Sequence, residues 1–329
     1  LSIRMAVEKL YESDNYLIVN KPYDMYINSD DEHEKNTVTY HIASPDSHLS
    51  SSLFPLHFVQ RLDYATSGVL CIAKNKSSAA QAGKLFEQRM TKKYYLAVVR
   101  GRVAFEVADI EFNVGVDPST ADSSHRMSAL TTSEASLRCL QSRHAHTRAL
   151  RLETGYYDNS PVTVLLLKPI TGKQEDWICK SSGALPLNVL MDHLMVSNRR
   201  PWTLKTLETL QIKLKHEDSG IGKIGRRHQL RVHCSAVGHT ILGDYTYSGT
   251  KDSMPHRMYL HATRLILPLP DEDLDIQTPE PFFIDPRFSS KWKSETAYYK
   301  YRSKEDFQTV CDILDKSYVI GVQYKIFKM

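Results

Sequence analysis

The sequence has little that would place it in a membrane, a disulfide scaffold or a nucleotide-cofactor fold. No stretch approaches the ~18 consecutive apolar residues that a bilayer-crossing helix needs. No charged start leads into an apolar run and a small-residue cleavage site, so no secretory signal is expected. Cysteine is sparse: Cys71, Cys139, Cys179, Cys234 and Cys311 are widely spaced and odd in number. That pattern suits reduced thiols rather than a disulfide framework. The expected location is intracellular, the cytoplasm ahead of the nucleus or mitochondrion. A Walker loop, a dinucleotide glycine fingerprint and internal repeats at solenoid periods are all missing. Charge of one sign is not in large excess: 42 Lys and Arg face 38 Asp and Glu, giving a formal net charge of +4 and a pI of about 8.6. Such a balance permits a nucleic-acid partner without demanding one.

What is present suits a globular chain. The 329 residues are 41% hydrophobic and 24% charged, enough for one large domain or two. Tyr16–Val19, Val69–Ala73, Tyr94–Val99, Leu150–Glu153, Val162–Leu167, Gln229–Cys234 and Met258–Leu267 read as strands. Ser78, with Gln81 three residues on, reads as a capping box opening a helix with Ala79, Ala82, Leu85 and Phe86 on one face. Residues 28–52 and 117–133 read as loops. Beyond Pro268 the composition turns acidic, with Asp271, Glu272, Asp273 and Asp275, and 271–329 reads as a C-terminal extension with a late helix near 304–316. Strands outnumber helices without regular βαβ spacing, which favours an α+β fold on a largely antiparallel sheet.

Three constellations could carry chemistry. In Gln60-Arg61-Leu62-Asp63-Tyr64-Ala65-Thr66-Ser67-Gly68, a carboxylate beside Arg61 can be held ionised and act as nucleophile or base. The same residues also build a plain turn. In Lys93-Tyr94-Tyr95-Leu96-Ala97, alternation puts Lys93, Tyr95 and Ala97 on one face, where an aromatic can stack on a base or simply half-bury. In Gly225-Arg226-Arg227-His228-Gln229-Leu230-Arg231-Val232-His233, a strand would present Arg231 opposite Leu230 and Val232. His228, His233, Cys234 and His239 invite a zinc reading. It is rejected because consecutive strand residues face opposite ways and no Cys-x-x-Cys pair exists, so no metal site is expected.

In this order the blocks resemble the RluA-type family of RNA pseudouridine synthases. The family's first motif resembles Tyr16 through Pro22. Its catalytic motif is similar to Arg61 through Gly68, its Lys-x-Tyr-Leu-Ala strand to Lys93 through Ala97, and its later arginine block to Gly225 through His233. Gly238-His239, Gly243-Asp244 and Leu260-His261-Ala262 continue the likeness, which covers 3–173 and 225–270. The resemblance implies the pseudouridine synthase fold: a mixed, mostly antiparallel sheet with flanking helices and a central cleft. It implies isomerisation of uridine in transfer, ribosomal or messenger RNA. The base would be flipped out, N1–C1′ cleaved and C5–C1′ formed. Asp63 would be the essential catalyst, with Tyr95 stacking on the base and Arg231 pairing with the aspartate. Arg61, Thr66, Lys93, Arg226, His228 and Gln229 would contact RNA. No cofactor, membrane or obligate protein partner is implied. A basic run of Lys74, Lys76, Lys84, Arg89, Lys92 and Lys93 could track phosphates or simply be a solvated helix face.

Two departures stand out. Gln60 replaces the family's usual histidine. Residues 173–224 interrupt the catalytic domain, 1–270, with an atypical insertion: joining Gly172 to Arg226 would restore Pro-Ile-Thr-Gly-Arg-Arg-His-Gln without a seam. The segment is either a surface excursion or a disruption of the strand feeding Arg231. In the second case the chain would be a catalytically silent RNA-binding protein of the same fold.

Overall fold

Aliphatic and β-branched runs, buried along most of their length, build the central strands. The computed structural model describes residues 6–31, 33–43, 55–116, 126–132, 139–171, 227–316 and 323–328. The N-terminal half carries β1 (Glu8–Glu12), β2 (Tyr16–Lys21), α1 (Val38–Ala43), β3 (His57–Phe58), β4 (Ser67–Ala73), α2 (Lys76–Gln88) and β5 (Lys92–Arg100). Next come β6 (Val107–Glu111), β7 (Val114–Val116), β8 (Met127–Ala129), β9 (Leu140–Arg143), β10 (Thr147–Tyr157) and β11 (Ser160–Pro169). The remainder carries α3 (Gln229–Ala236), β12 (Leu260–Pro268), β13 (Asp273–Gln277), α4 (Pro286–Ser289), β14 (Trp292–Ala297), α5 (Lys304–Asp315) and β15 (Tyr324–Lys328).

Twelve strands form one sheet along the path β1-β2-β4-β12-β5-β11-β10-β6-β15, with β3 on β4, β13 on β12 and β14 on β10. Strands β8-β7-β9 form a second, three-stranded sheet. Pairing between the named strands is antiparallel except at β12–β4 and β15–β6. This is the α+β, mostly antiparallel architecture expected. Every residue of β4 is buried, Leu70 and Ile72 in one core and Val69, Cys71 and Ala73 in another, as befits a strand covered on both faces. Gly68, at φ +117, lets β4 meet β12: a Cβ there would lie 2.2 Å from the Ala262 carbonyl oxygen. That contact seats the turn after Asp63.

Several local expectations are corrected. Gln229–Cys234 is helix α3, not a strand. Gln229 and His233, four apart, both reach Thr147, while Leu230 and Cys234, also four apart, enter the core beside β5. The α2 cap is Asn75, whose side chain accepts from the Ser78 amide at 2.9 Å, so the helix starts before the expected Ser78 box. Within 117–133, β8 forms a strand.

Residues 271–329 do not stand apart from the sheet. Strands β13, β14 and β15 pair with β12, β10 and β6, and Phe282, Phe288, Phe307 and Val310 share a core with Leu96 and Val98 of β5. Half of the acidic start lies on the outward face of β13, where Asp273 and Asp275 are exposed and Leu274 between them is buried; Glu272, ahead of the strand, accepts from the Tyr11 hydroxyl. Insertion 173–224 lies outside the described residues. Its flanks meet: Thr171 Oγ1 donates to Gln229 Oε1 at 3.2 Å, and the His146 carbonyl accepts both the Ile170 amide and Gln229 Nε2.

Candidate active site

Asp63 sits in the turn ahead of β4, where the Thr66 amide closes onto its carbonyl at 3.1 Å. Its carboxylate is partly open, with 23% of the side chain exposed. The cation that reaches it is Arg231, whose Nη1 donates to Asp63 Oδ2 at 3.3 Å. Arg61, the neighbour in sequence, forms no ion pair with it among the described residues and lies exposed on the same cleft.

Arg231 is not aimed by Asp63. Its Nε and Nη2 donate to the two oxygens of Asp244, each at 2.8 Å, and the Asp244 side chain is wholly buried. A bidentate fork of this kind fixes the guanidinium plane. The remaining nitrogen then points at Asp63. Burial works against the Arg231 charge, but Asp244 and Asp63 outweigh it and hold its pKa above the ordinary arginine value. The Tyr247 ring packs 5.0 Å from the guanidinium carbon, completing the cage.

His228 precedes α3 at φ +61 and brings Nε2 to 3.6 Å from Asp63 Oδ2, while its Nδ1 is 3.0 Å from the Tyr247 hydroxyl. Burial pushes its pKa down to about 4 in spite of Asp63, so the ring is neutral at ordinary pH. Tyr95 comes from β5 and packs between two cores on one side while facing the cleft on the other. Burial, then the Asp63 charge, pushes its phenol above the ordinary range, so it is a neutral ring with a hydroxyl to donate.

One cleft of about 320 Å³ gathers these groups. Asp63, Tyr95 and Arg231 line it. So do Arg61, Thr66, Lys93, His228 and Gln229. Arg226 lies outside the described residues. Lys93 shares the Tyr95 face, as alternation predicts, and its ammonium stands 5.5 Å from the Phe86 ring. Gln229 is committed elsewhere: Nε2 donates to the His146 carbonyl and Thr147 Oγ1, both at 3.0 Å, so it clamps α3 to β10. The basic run also disperses. Lys74 pairs with Glu12 and Lys92 with Asp315, leaving Lys93 as its member on the cleft.

Two positioning groups escaped the sequence reading. Asp244 was noted only as part of a motif. Lys21, at the end of β2, is fully buried and its ammonium donates to the carbonyls of Pro22, Met25 and Tyr64 at 2.7–3.0 Å. It therefore ties the loop after β2 to the residue following Asp63. Burial lowers its pKa to about 7, with Asp63 and Asp24 opposing the shift. A lysine closing a strand whose first four residues are buried was the available signal.

The histidines that invited a zinc reading have protein partners. His233, on a helix rather than a strand, uses both ring nitrogens on Thr147 Oγ1 and the Phe112 carbonyl, and His239 Nδ1 meets the Arg100 carbonyl. Asp109, Glu111 and His146 have metal-ligating composition. Arg148 already forks both Asp109 oxygens, which neutralises that group.

Comparison with known proteins agrees with this geometry. The family model described as RNA pseudouridylate synthase matches residues 15–176. The zebrafish (Danio rerio) RNA pseudouridylate synthase domain-containing protein 1 is 34% identical over 86% of this chain and 77% of its own length. The ribosomal large subunit pseudouridine synthase C of Rickettsia typhi is 24% identical over 85% of this chain and 70% of its own. The solved structure of human RNA pseudouridylate synthase domain containing 1 superposes with a TM-score of 0.63 at 27% identity, covering 94% of this chain and 95% of that one. By sequence, fold and the residues gathered in its cleft, this chain belongs to the RNA pseudouridine synthase family of RluA type.

Proposed function

We propose that the chain is an active RNA pseudouridine synthase with Asp63 as its catalytic carboxylate. The observation that carries the proposal is the Asp63–Arg231–Asp244 arrangement. One carboxylate stays partly open to a ligand, and a buried arginine faces it, locked in place by a second, wholly buried carboxylate. A silent binder has no need of a carboxylate so oriented.

The reaction breaks N1–C1′, turns the base and joins C5 to C1′. The C5 proton leaves and N1 ends protonated, so no oxidant or external group is consumed. A uridine inside a helix cannot turn, so it must be everted into the cleft at a cost of a few kcal/mol. Stacking on Tyr95 offsets about 1–3 kcal/mol of this. On this reading Arg61, exposed on the cleft, is the RNA contact that fills the vacated position. Tyr95 is also a candidate to remove the C5 proton, and its raised pKa bears on that role. A neutral phenol is a poor acceptor for the C5 proton. If Asp63 bonds covalently to the substrate its negative charge is lost, and one of the two causes holding Tyr95 protonated goes with it.

Tritium release from C5-labelled uridine in bulk cellular RNA tests the proposal. The wild-type chain is expected to release label, and Asp63→Ala to fall to background. Salt-sensitive RNA binding by the wild type without release would identify a silent binder instead.

A further inference from the structure

Behind the Arg231–Asp244 pair lies a second cavity of about 300 Å³, at the lower end of small-ligand sites. Arg231 lines both cavities, so one side chain separates them. Most charged groups around the second cavity are satisfied. Asp244 holds Arg231. Asp252 takes the Arg100 fork and the Gly243 amide. His256 sits between Asp285 and the Tyr259 hydroxyl.

Two groups are left over. Arg257 is 8% exposed, lies 4.3 Å from the Tyr23 ring, and donates through Nε to the Met258 carbonyl and through Nη2 to Ser67 Oγ. Its Nη1 has no hydrogen bond, and the guanidinium has no carboxylate partner, among the described residues. Asp24 is half-buried, and its carboxylate has neither hydrogen bond nor ion pair among the described residues. It also holds a left-handed backbone, φ +52, that L-residues other than Asn and Asp seldom adopt. Each group feels the other's charge, yet they are not joined as an ion pair. A donor and an acceptor that face one cavity without pairing with each other are open to a ligand that offers both.

The ligand chemistry follows by elimination. A phosphate would meet Asp24, and a cation would meet Arg257. An uncharged base edge carrying donors beside acceptors satisfies both. Guanine does so most fully: N1–H and the 2-amino group suit the two carboxylate oxygens, and O6 with N7 suits the guanidinium. Tyr245, 57% exposed on the same cavity, offers a ring face for stacking. Resting on the reading of the first cleft as the uridine site, we propose that this second cavity binds an unpaired guanine adjacent to the target uridine. Asp24 and Arg257 read its edge.

The test offers the full chain a random-sequence RNA pool, then sequences the retained RNAs and maps the pseudouridines formed. The wild type should show guanine enriched about tenfold at one fixed position next to the modified uridine, the size of one good base-edge contact. Asp24→Asn keeps the side-chain shape and tolerates the left-handed backbone, so it should fold. In this variant the enrichment should fall to near parity. In a defined substrate, inosine for guanine removes the 2-amino group and should slow the wild type several-fold without moving Asp24→Asn. Pseudouridines flanked by random bases, or equal enrichment in both proteins, would overturn the inference and leave the synthase reading intact. Guanine-enriched retained RNA without any pseudouridine would support the inference as an RNA contact and sink the synthase reading.

Discussion

At the scale of single residues, the site depends on Asp244, a group that does not line the Asp63 cleft. Arg231 is committed through two nitrogens to Asp244 and offers Asp63 only the third. Removing one member of a buried pair leaves the other uncompensated, at about 3–5 kcal/mol. Asp244→Asn is therefore expected to lose stability of that order in urea unfolding, and the released Arg231 can turn its fork onto Asp63. Tritium release should then fall at least tenfold even at temperatures where the variant is folded. Arg231→Met combined with Asp244→Leu should recover much of the stability and none of the activity. The residues alone suggest Arg61 as the partner of Asp63, and only the family resemblance points to Arg231. The sequence hides Asp244, because the fork forms only after the chain bends at Gly243, whose φ is +78 and whose Cβ would strike the Arg257 carbonyl.

At the scale of elements, the strands were legible and α3 was not. In β4 and β5 the apolar residues alternate between two cores, and period-two burial is what a strand pattern reports. Gln229 to Cys234 alternates polar and apolar residues, the pattern of a half-buried strand, yet all six are buried in a helix whose polar side chains find partners inside the protein. The helical form has a titration consequence. His233 is fully buried, and burial lowers its pKa to about 4. The unfolded chain takes up a proton near pH 6.5 that the folded chain refuses until about pH 4, so stability is complete above 6.5 and is lost as pH falls toward 4. His228 and His261, both lowered by burial, add with the same sign. Denaturant melts of the wild type should lose stability steadily across that window, His233 alone supplying about 3 kcal/mol. His233→Gln should start from a lower stability at pH 7 and show a shallower slope.

At the scale of the whole molecule, the resemblance ran out at 270, yet the C-terminal residues are part of what holds the site. Helix α5 ends at Asp315, whose carboxylate takes Lys92, the Tyr94 hydroxyl and Lys168 at 2.6–2.7 Å, pinning the two strands that carry Tyr95 and Pro169 to the cleft. Composition alone could not show this, since it does not tell that Glu272 holds Tyr11 and Asp275 holds Arg264. Residues 173–224 pose a different question. Thr171 and Gln229 touch, and the His146 carbonyl accepts from both Ile170 and Gln229, so the described residues on either side of the segment are held together. The entropy of closing a loop grows only slowly with its length, so removing many residues from one that already has adjacent ends changes stability by about 1–2 kcal/mol. A chain joining Gly172 directly to Arg226 is expected to keep its melting temperature within a few degrees of the full chain and to release tritium at a comparable rate. Loss of folding in that shortened chain would mean that 173–224 supplies contacts the cleft requires. Folding with loss of release alone would place the segment's contribution on the RNA rather than on the protein core.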